Sequence, residues 1–215
     1  MRGTVFRGVL LIGGAHPPAK IASRISERAD IVVAADSGYD MALQWGIACD
    51  YLIGDFDSLE STVEMEKFPQ DRIIRAPKAK DQTDTEMGID LLLRRGVEEI
   101  TLIGGGGGRL DHLIALVSLF DREKRPHRWY TDSHEVLSVE STVEIKGRKG
   151  ETVSFFPAGN QICRMKSTGL RWSLDPLTWR HGDAGVSNEI VADIATVSPR
   201  AGRLICVLPL EEVEQ

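Results

Sequence analysis

The sequence predicts an α/β protein, with an N-terminal, mostly parallel sheet that has helices on both faces, followed by a C-terminal all-β, sandwich-like domain. Near-continuous apolar runs alternate with helical segments over roughly the first 120 residues, which is typical of parallel strands buried on both faces. After about residue 130, short β-rich runs with turn residues between them replace this pattern, and no amphipathic helix of useful length is visible. We therefore predict an α/β domain over residues 1–130 and a β-sandwich domain over residues 131–215.

Each element of the first domain has a local signal. Pro17 and Pro18 suit the start of a helix, Gly46 ends the next one, and Thr83 with Glu86 forms a capping box at the start of a third. Predicted strands are the apolar runs GVLLIGGA, DIVVAADSG, YLIGDFDS, RIIRAP and EEITLIGGGGG, and a last helix is predicted over RLDHLIALVSLFDR. The segment KRPHRWYTDSHE can close the first sheet, so the domain boundary falls near residues 125–135.

The second domain is predicted from six short runs of strand-forming residues. Turn residues separate these runs, as in sandwiches and barrels. The runs read EVLSVE, TVEIKG, ETVSFFPAG, QICRMKSTGL, IVADIATVSP and RLICVLPL.

Composition and charge exclude several classes of function. The chain has 215 residues, 42% of them hydrophobic, which suits one or two domains with real cores. Its formal net charge is −6. This charge argues against a nucleic-acid partner and against an acidic membrane surface, because both require a basic face. An anionic ligand would therefore need local positive charge or a metal ion.

The cysteines and the N-terminus favour a cytoplasmic protein. Cys49, Cys163 and Cys206 are odd in number and far apart, which supports neither a disulfide framework nor a zinc site. The apolar run at residues 9–12 is too short for the core of a signal peptide, and no run reaches membrane-spanning length.

Four predicted strands end in residues that suit a ligand site. They end in Gly13-Gly14, in Asp36, in Asp55 with Asp57, and in the run of glycines 104–108. Open α/β sheets bind ligands in the crevice beyond the carboxyl ends of their strands. The convergence of four such ends on one edge predicts a ligand site there.

Asp55 and Asp57 are candidate metal ligands. In an extended backbone, residues two apart point to the same side, so their carboxylates would repel each other unless a cation lay between them. Oxygen ligands with no histidine or cysteine nearby suit Mg²⁺. The alternative is that Asp55 closes a turn and Asp57 caps a helix that starts near Ser58.

The segment KDQTD, which includes Lys80, Asp81, Thr83 and Asp84, precedes a predicted helix. Lysines at this point can meet phosphates, because the free N–H groups of a helix N-terminus also favour anions. Asp84 is placed to join the metal site. The alternative is a capping box with solvated neighbours.

The stretch GGGGGRLDH at residues 104–112 is a turn between a strand and a helix. It lacks the signature of a phosphate-binding P-loop. Without Cβ atoms at positions such as Gly106 and Gly107, the backbone can approach a phosphate closely, and Arg109 can add a bidentate contact. Asp111 is either part of the site or a helix cap.

Two segments of the β domain offer groups for an aromatic ligand. Trp172 has a flat face for an aromatic ring, and Ser187 and Asn188 can form hydrogen bonds. The alternative is a core tryptophan and polar loop residues.

Together these segments resemble the thiamine pyrophosphokinase family. The matching stretches are AADSG, GDFDS, KDQTD, GGGGGRLDH, TGLRW and SNE, in the order found in the family, and they span residues 34–188. The resemblance implies transfer of a pyrophosphoryl group from ATP to the hydroxyethyl oxygen of thiamine, which gives thiamine diphosphate and AMP. It also implies a homodimer with its sites at the interface.

The resemblance implies roles for particular residues. Mg²⁺ would be held by Asp55, Asp57 and Asp84, and Asp36 could accept the proton. ATP and its phosphates would contact Lys80, Asp81, Thr83, Gly106, Gly107 and Arg109. Thiamine would contact Asp111, Trp172, Ser187 and Asn188, the last three either from the same subunit or from the partner subunit.

Three positions depart from the family pattern. Ser37 stands where members often have glycine, Leu116 where they often have asparagine or serine, and Lys80 where some have glutamine. Two rival functions remain at this point: a pyrophosphokinase for another hydroxymethyl heterocycle such as a pterin, and a nucleotide-binding sensor without turnover.

Overall fold

The computed structural model describes residues 5–56, 62–76 and 82–211, which divide into two compact units. The first unit contains the chain up to Leu116 together with Lys124–Ser133, and the second contains Val117–Glu123 and His134–Glu211. No helix in these described ranges is long and apolar enough to cross a membrane.

The sheet of the first unit is parallel throughout its described strands. Their order is β6-β5-β1-β2-β3-β4. All five strands predicted for this domain are present, and a further strand lies in the boundary segment, which closes the sheet. The strands are β1 (Arg7–Leu11), β2 (Ile31–Ala35), β3 (Tyr51–Gly54), β4 (Ile73–Arg75), β5 (Glu99–Ile103) and β6 (Arg128–Tyr130).

Helices cover both faces of this sheet, as predicted. Because successive residues of a strand point to opposite faces, Val9 and Leu11 join α1 and α2 in one core on one side. On the other side Leu10 lies against α4, where a Cβ atom on Gly88 would approach the Leu10 side chain to 2.6 Å. Glycine at this position therefore lets α4 pack closely on β1. The helices are α1 (Ala19–Ser26), α2 (Gly38–Trp45), α3 (Thr62–Glu66), α4 (Asp84–Arg94) and α5 (Leu110–Ser118).

Two predicted helix ends are confirmed. Gly46 follows α2 in the left-handed conformation at φ 65°, which glycine adopts without strain. At the start of α4, the Thr83 hydroxyl accepts a hydrogen bond from the Glu86 backbone N–H, and the Glu86 carboxylate accepts one from the Thr83 N–H, so that the capping box is complete.

The second unit is a sandwich of two antiparallel sheets, as predicted. One has the strand order β11-β9-β13-β7 and the other β10-β12-β8. Both contribute to one core, which includes Phe155 from the first sheet and Met165 from the second. The strands are β7 (His134–Val139), β8 (Val143–Lys146), β9 (Thr152–Ala158), β10 (Arg164–Thr168), β11 (Gly185–Glu189), β12 (Ile194–Ala201) and β13 (Arg203–Pro209).

Candidate active site

The topology of the first unit brings the predicted loops to one edge of its sheet. From β1 the strand order proceeds through β2, β3 and β4 on one side, whereas β5 and β6 lie on the other. Such a reversal is the switch point at which open α/β sheets bind ligands. The Gly13-Gly14 turn, Asp36, Asp55 and the glycine turn at residues 104–108 all follow carboxyl ends of these parallel strands.

We call Asp36, Asp55 and Asp84 the acidic edge. Asp36 follows β2, Asp55 follows β3, and Asp84 is the first residue of α4. The Asp36 carboxylate accepts a hydrogen bond from the Phe56 backbone N–H at 3.2 Å and is also hydrogen-bonded to the Asp84 side chain. The structure thus joins Asp36 to Asp84, which comes from a separate segment of the chain, and places Asp55 near enough for its charge to act on Asp36.

The backbone around the acidic edge adopts conformations that are rare for residues with side chains. Asp36 has φ 46° and Phe56 has φ 62°. Gly54 lies directly beneath the Asp36 carboxylate at φ 147°, where a Cβ atom would overlap that group. Strain of this kind costs about 1–3 kcal/mol per residue and tends to concentrate at functional sites.

Crowding of like charges is visible in the pKa of Asp36. The pKa of Asp36 is raised from its ordinary value to about 7, chiefly by burial and then by the hydrogen bond and charge of Asp84 and the charge of Asp55, while the hydrogen bond from the Phe56 N–H lowers it. Carboxylates this close are stable together only with a shared proton or a bound cation.

The donor chemistry of the acidic edge fits Mg²⁺, because it consists of carboxylate oxygens without sulfur or imidazole. Within the described ranges, no three acidic, histidine or cysteine side chains are close enough to form a complete metal site. Asp57, the remaining predicted metal ligand, lies outside the described residues, as do Lys80 and Asp81.

Arg75 contacts Phe56, the residue that follows Asp55. Its guanidinium carbon lies 5.6 Å from the centre of the Phe56 ring, next in sequence to Asp55. No pattern in the sequence pointed to this arginine, although it ends β4, the strand that pairs with β3.

The two glycine turns of this edge are hydrogen-bonded to each other. Ala15 and Gly106 form an isolated antiparallel bridge, with N–O distances of 2.7 and 2.8 Å, and the Gly105 N–H donates to the Gly13 carbonyl at 2.7 Å. Gly106 is buried, and a Cβ atom there would clash with the Asp132 side chain. The absence of a side chain at Gly106 allows the two turns to pack against each other, whereas Gly107 and Gly108 are exposed.

Arg109 precedes α5 and forms an ion pair with Asp111. The Arg109 Nε donates to Asp111 Oδ1 at 3.1 Å, and a second hydrogen bond joins Nη2 to Oδ2. The Arg109 guanidinium holds the pKa of Asp111 at about 2, well below its usual range. Both side chains are largely exposed, so the guanidinium is accessible to an anion that competes with Asp111.

In the second unit, Trp172 is an exposed residue and not a core tryptophan. Its relative exposure is 58%, whereas Trp179 is 5% exposed within the sandwich core. The guanidinium carbon of Arg171 lies 5.8 Å from the Trp172 ring centre, and Arg171 is itself paired with Glu189 at 3.0 Å. The alternative reading of Trp172 from the sequence is therefore wrong.

Asn188 is buried, and its amide is bonded to backbone. Its Oδ1 accepts hydrogen bonds from the N–H groups of Trp172 at 3.2 Å and Glu189 at 2.8 Å, while its Nδ2 donates to the Trp172 carbonyl at 2.7 Å. Asn188 thus fixes the backbone that presents Trp172. The adjacent Ser187 is exposed, with φ 58°.

A pocket that the sequence did not predict lies between the turn after β1 and one face of α2. Ser37, Asp40, Met41 and Gln44 line it from the helix side. Their spacing of three, four and seven residues places them on one helical face, which is a signal that the sequence does contain. The volume of the pocket is about 230 Å³.

The departures from the family pattern have simple structural outcomes. Ser37 has φ −62° and ψ −7°, ordinary right-handed helical values, so it needs no glycine. The unusual conformation belongs to Asp36. Leu116 is buried, and its side chain lies beside Gly105.

Comparison with known families agrees with this architecture. A model of the thiamin pyrophosphokinase catalytic domain matches residues 22–128, and a model of the thiamin pyrophosphokinase vitamin B1 binding domain matches residues 138–204. A curated thiamine pyrophosphokinase of Bacillus subtilis (strain 168) is 28% identical over 191 residues, which is 81% of this chain and 85% of that protein.

Solved structures share the fold over nearly the whole chain. The crystal structure of thiamine pyrophosphokinase from Bacillus subtilis superposes with a TM-score of 0.78 at 23% identity, covering 95% of this chain and all (100%) of that one. The enzyme of that name from Candida albicans gives a TM-score of 0.72 at 16% identity, covering 96% of this chain and 90% of that one.

The fold and site define a two-domain α/β protein with an acidic ligand edge on a parallel sheet and a β-sandwich that follows it. With both of its domains matched by the family models, the chain belongs to the thiamine pyrophosphokinase family.

Proposed function

We propose that this protein transfers a pyrophosphoryl group from ATP to the hydroxyethyl oxygen of thiamine, giving thiamine diphosphate and AMP. The observation that carries the proposal is the acidic edge, where Asp36, Asp55 and Asp84 converge at the carboxyl ends of a parallel sheet. This is the position at which such sheets bind their ligands, and the chain belongs to the thiamine pyrophosphokinase family, whose name describes this reaction.

The carboxylates have two proposed roles. Asp55, Asp57 and Asp84 would hold Mg²⁺, which when bound neutralises charge on the phosphates. Asp36 would accept the proton of the attacking hydroxyl, because it is hydrogen-bonded to Asp84, one of the proposed metal ligands, and is not itself assigned to the metal. Most of the rate enhancement would come from positioning and charge neutralisation.

Cations and backbone N–H groups would hold the phosphates. Arg109 is exposed and can exchange its contact with Asp111 for a bidentate contact to phosphate. Thr83 caps α4, where N–H groups favour anions, and Asp81 precedes Thr83 by two residues in the sequence. Lys80 and Gly107 complete the proposed set, whereas the N–H of Gly106, the other glycine predicted to contact phosphate, is already donated to the Ala15 carbonyl.

Residues of the second unit are proposed to bind thiamine, and Asp111 of the first unit is a separate proposed contact. The exposed face of Trp172 suits a cation with two flat rings, both by stacking and by cation–π attraction. The Ser187 hydroxyl can donate a hydrogen bond. Asn188 would act by holding the Trp172 backbone, since its amide already forms three hydrogen bonds to backbone groups.

We also propose a homodimer with its sites at the interface. The outer face of α5 presents Leu110, Ile114 and Val117, at 69%, 58% and 44% exposure, with the spacing of one helical stripe. An apolar stripe of this kind suits a buried contact with a second copy of the chain. Analytical ultracentrifugation should show a dimer, which Leu110→Glu combined with Val117→Glu should convert to a monomer.

We also propose a cytoplasmic location. ATP is the proposed donor, and none of the three cysteines, Cys49, Cys163 and Cys206, is in a disulfide, as expected in a reducing compartment. Fractionation of the native host followed by immunodetection would test the location.

The proposed reaction is tested by incubating the purified protein with ATP, Mg²⁺ and a panel of hydroxymethyl and hydroxyethyl heterocycles. We expect AMP and thiamine diphosphate in equal amounts with thiamine, and no comparable product with a hydroxymethyl pterin. Preference for the pterin would reassign the acceptor. Absence of AMP with every acceptor would favour a nucleotide-binding protein without turnover.

A further inference from the structure

We propose that the pocket between the turn after β1 and α2 binds the heterocyclic base of the nucleotide donor. This inference rests on the proposed function only in taking the donor to be a nucleotide. The pocket lies wholly within the first unit and follows the carboxyl end of β1.

The size of the pocket suits one part of a nucleotide. Pockets for drug-sized ligands measure about 300–1,000 Å³, whereas this one has a volume of about 230 Å³. It can therefore hold a ring system but not a base, a sugar and three phosphates together. The charge of the lining decides which part it takes.

The lining favours an uncharged ring over a phosphate. None of the eight residues that form it is a lysine or an arginine, and Asp40 contributes a carboxylate. A phosphate beside Asp40 would be repelled. An aromatic amine would instead donate a hydrogen bond to that carboxylate, as carboxylates are strong acceptors.

Gln44 supplies a group that matches the edge of adenine. Its carboxamide has a donor and an acceptor side by side. Glutamine uses this pair to contact the exocyclic amine and the neighbouring ring nitrogen of adenine, accepting from one and donating to the other. Gln44 lies one helical turn beyond Asp40, so both side chains face the pocket from the same side of α2.

The walls of the pocket suit a flat ring. Ile12 and Met41 are buried, at 5% and 4% exposure, and give apolar contact surfaces. The His16 ring packs edge-on against Trp45, with a centroid distance of 4.4 Å and an interplanar angle of 84°, which fixes its orientation at the pocket.

The position of the pocket connects it to the acidic edge. Ser37 lines the pocket and directly follows Asp36 in the chain. Consecutive Cα atoms are about 3.8 Å apart, so a base held here has its sugar and phosphates within reach of the acidic edge. Base recognition and phosphate chemistry would then occupy neighbouring parts of one sheet edge.

The test uses the full chain without thiamine and measures binding of adenosine, which has no phosphates, by isothermal titration calorimetry. Gln44→Ala should weaken adenosine binding about tenfold, because two hydrogen bonds are lost. Leu43→Ala is the matched control: it changes the preceding, exposed residue of α2, which does not line the pocket. Thermal unfolding of both variants should match the parent protein, and binding of inorganic pyrophosphate should be unchanged in both.

A second measurement locates the ligand directly. Photolabelling with 8-azidoadenosine, followed by peptide mass spectrometry, should modify the segments 12–16 or 37–44, and excess AMP should prevent the labelling. Equal adenosine affinity in the parent protein and Gln44→Ala, or labelling confined to other segments, would overturn the inference.

These outcomes are independent of turnover. A protein that makes thiamine diphosphate but binds adenosine regardless of Gln44 keeps the proposed function and loses this site. A protein without turnover whose adenosine affinity depends on Gln44 does the reverse. If Gln44→Ala weakens thiamine binding and leaves adenosine binding intact, the pocket belongs to the acceptor and the inference is wrong.

Discussion

At the acidic edge of the first unit, Asp36 is partly buried, has φ 46° and is crowded by two other carboxylates. In the second unit, Trp172 is 58% exposed, and its backbone is held by the buried amide of Asn188. We call residues 170–173 around this tryptophan the aromatic segment. Charge and backbone strain are concentrated where phosphate chemistry is proposed. The proposed contact to thiamine is instead an exposed ring whose backbone is fully hydrogen-bonded to Asn188.

This difference implies that substitutions in the two regions should fail in different ways. Changes at the acidic edge should reduce catalysis, or should release or add strain within the first unit. Changes in the aromatic segment should separate into those that remove the ring and those that remove its support.

The largest effect is expected from Asp55→Asn at the acidic edge. Loss of one carboxylate from the proposed metal and phosphate site should lower kcat at least about a hundredfold, as for other electrostatic groups that act in the transition state. Asp71→Asn is the control, because Asp71 is an exposed acid of the short 3-10 turn before β4. Steady-state AMP formation at saturating Mg²⁺ measures both, and unchanged kcat in Asp55→Asn would remove this residue from the site.

Gly54→Ala should break the acidic edge through the backbone. Gly54 has φ 147°, and a positive φ of this kind costs a residue with a side chain about 1–3 kcal/mol. The added Cβ would also displace the Asp36 carboxylate. We expect a fall in the free energy of unfolding of about 2–4 kcal/mol, measured by urea denaturation.

Gly46→Ala is the matched control for this variant. Gly46 has φ 65°, and a Cβ atom there would have no neighbour within 4 Å, so only backbone strain of about 1–2 kcal/mol is added. Equal destabilisation by the two variants would show that the contact with Asp36 contributes nothing.

Asn188→Ala should remove the support and leave the ring in place. The backbone groups of Trp172 would lose their partners, which costs about 1–3 kcal/mol of stability. The thiamine KM should rise as well, because the aromatic segment is no longer fixed. Asn160→Ala, at an exposed asparagine, should change neither quantity, and a destabilised Asn188→Ala with a normal thiamine KM would limit Asn188 to a structural role.

Trp172→Ala should have the smallest effect on the fold and a selective effect on thiamine. A cation–π contact is worth about 0.5–2 kcal/mol, so the thiamine KM should rise about 2- to 30-fold while the ATP KM and the melting temperature change little. Trp179→Ala, in the core, should instead lose about 3–5 kcal/mol of stability. A large fall in the melting temperature of Trp172→Ala would contradict its exposed position.

Mixed dimers test whether the aromatic segment serves a site on the partner. A subunit with Trp172→Ala retains Asp55, and a subunit with Asp55→Asn retains Trp172. If each site combines the acidic edge of one copy with the aromatic segment of the other, purified heterodimers regain one working site. Activity no higher than that of the Trp172→Ala homodimer would rule out the shared site.

Much of the fold was predictable because its signals are local. Apolar runs identified the strands of the first unit, Gly46 and the Thr83 capping box identified helix ends, and the change of pattern near residue 130 identified the sandwich. Asp36 and Asp55 could be assigned to one edge, since parallel strands all end on the same side of a sheet.

Other features depend on contacts between distant residues and had no local signal. The pairing of Ala15 with Gly106 explains a buried glycine that the sequence suggested for phosphate. The sequence predicted that Asn188 forms hydrogen bonds, but its partners are the backbone groups of Trp172, which depend on the position of β11 beside the aromatic segment.

The sequence by itself determined which segments become strands and helices and which chemical groups stand at their ends, because apolar periodicity, caps and side-chain chemistry are properties of neighbouring residues. Only the tertiary structure decided which of those groups meet. It brought Asp84 against Asp36, left Trp172 exposed while burying Asn188, and opened a pocket beside Gln44. The physical reason is that a hydrogen-bonding or charged group can be satisfied by many partners, and the packing of distant segments selects among them.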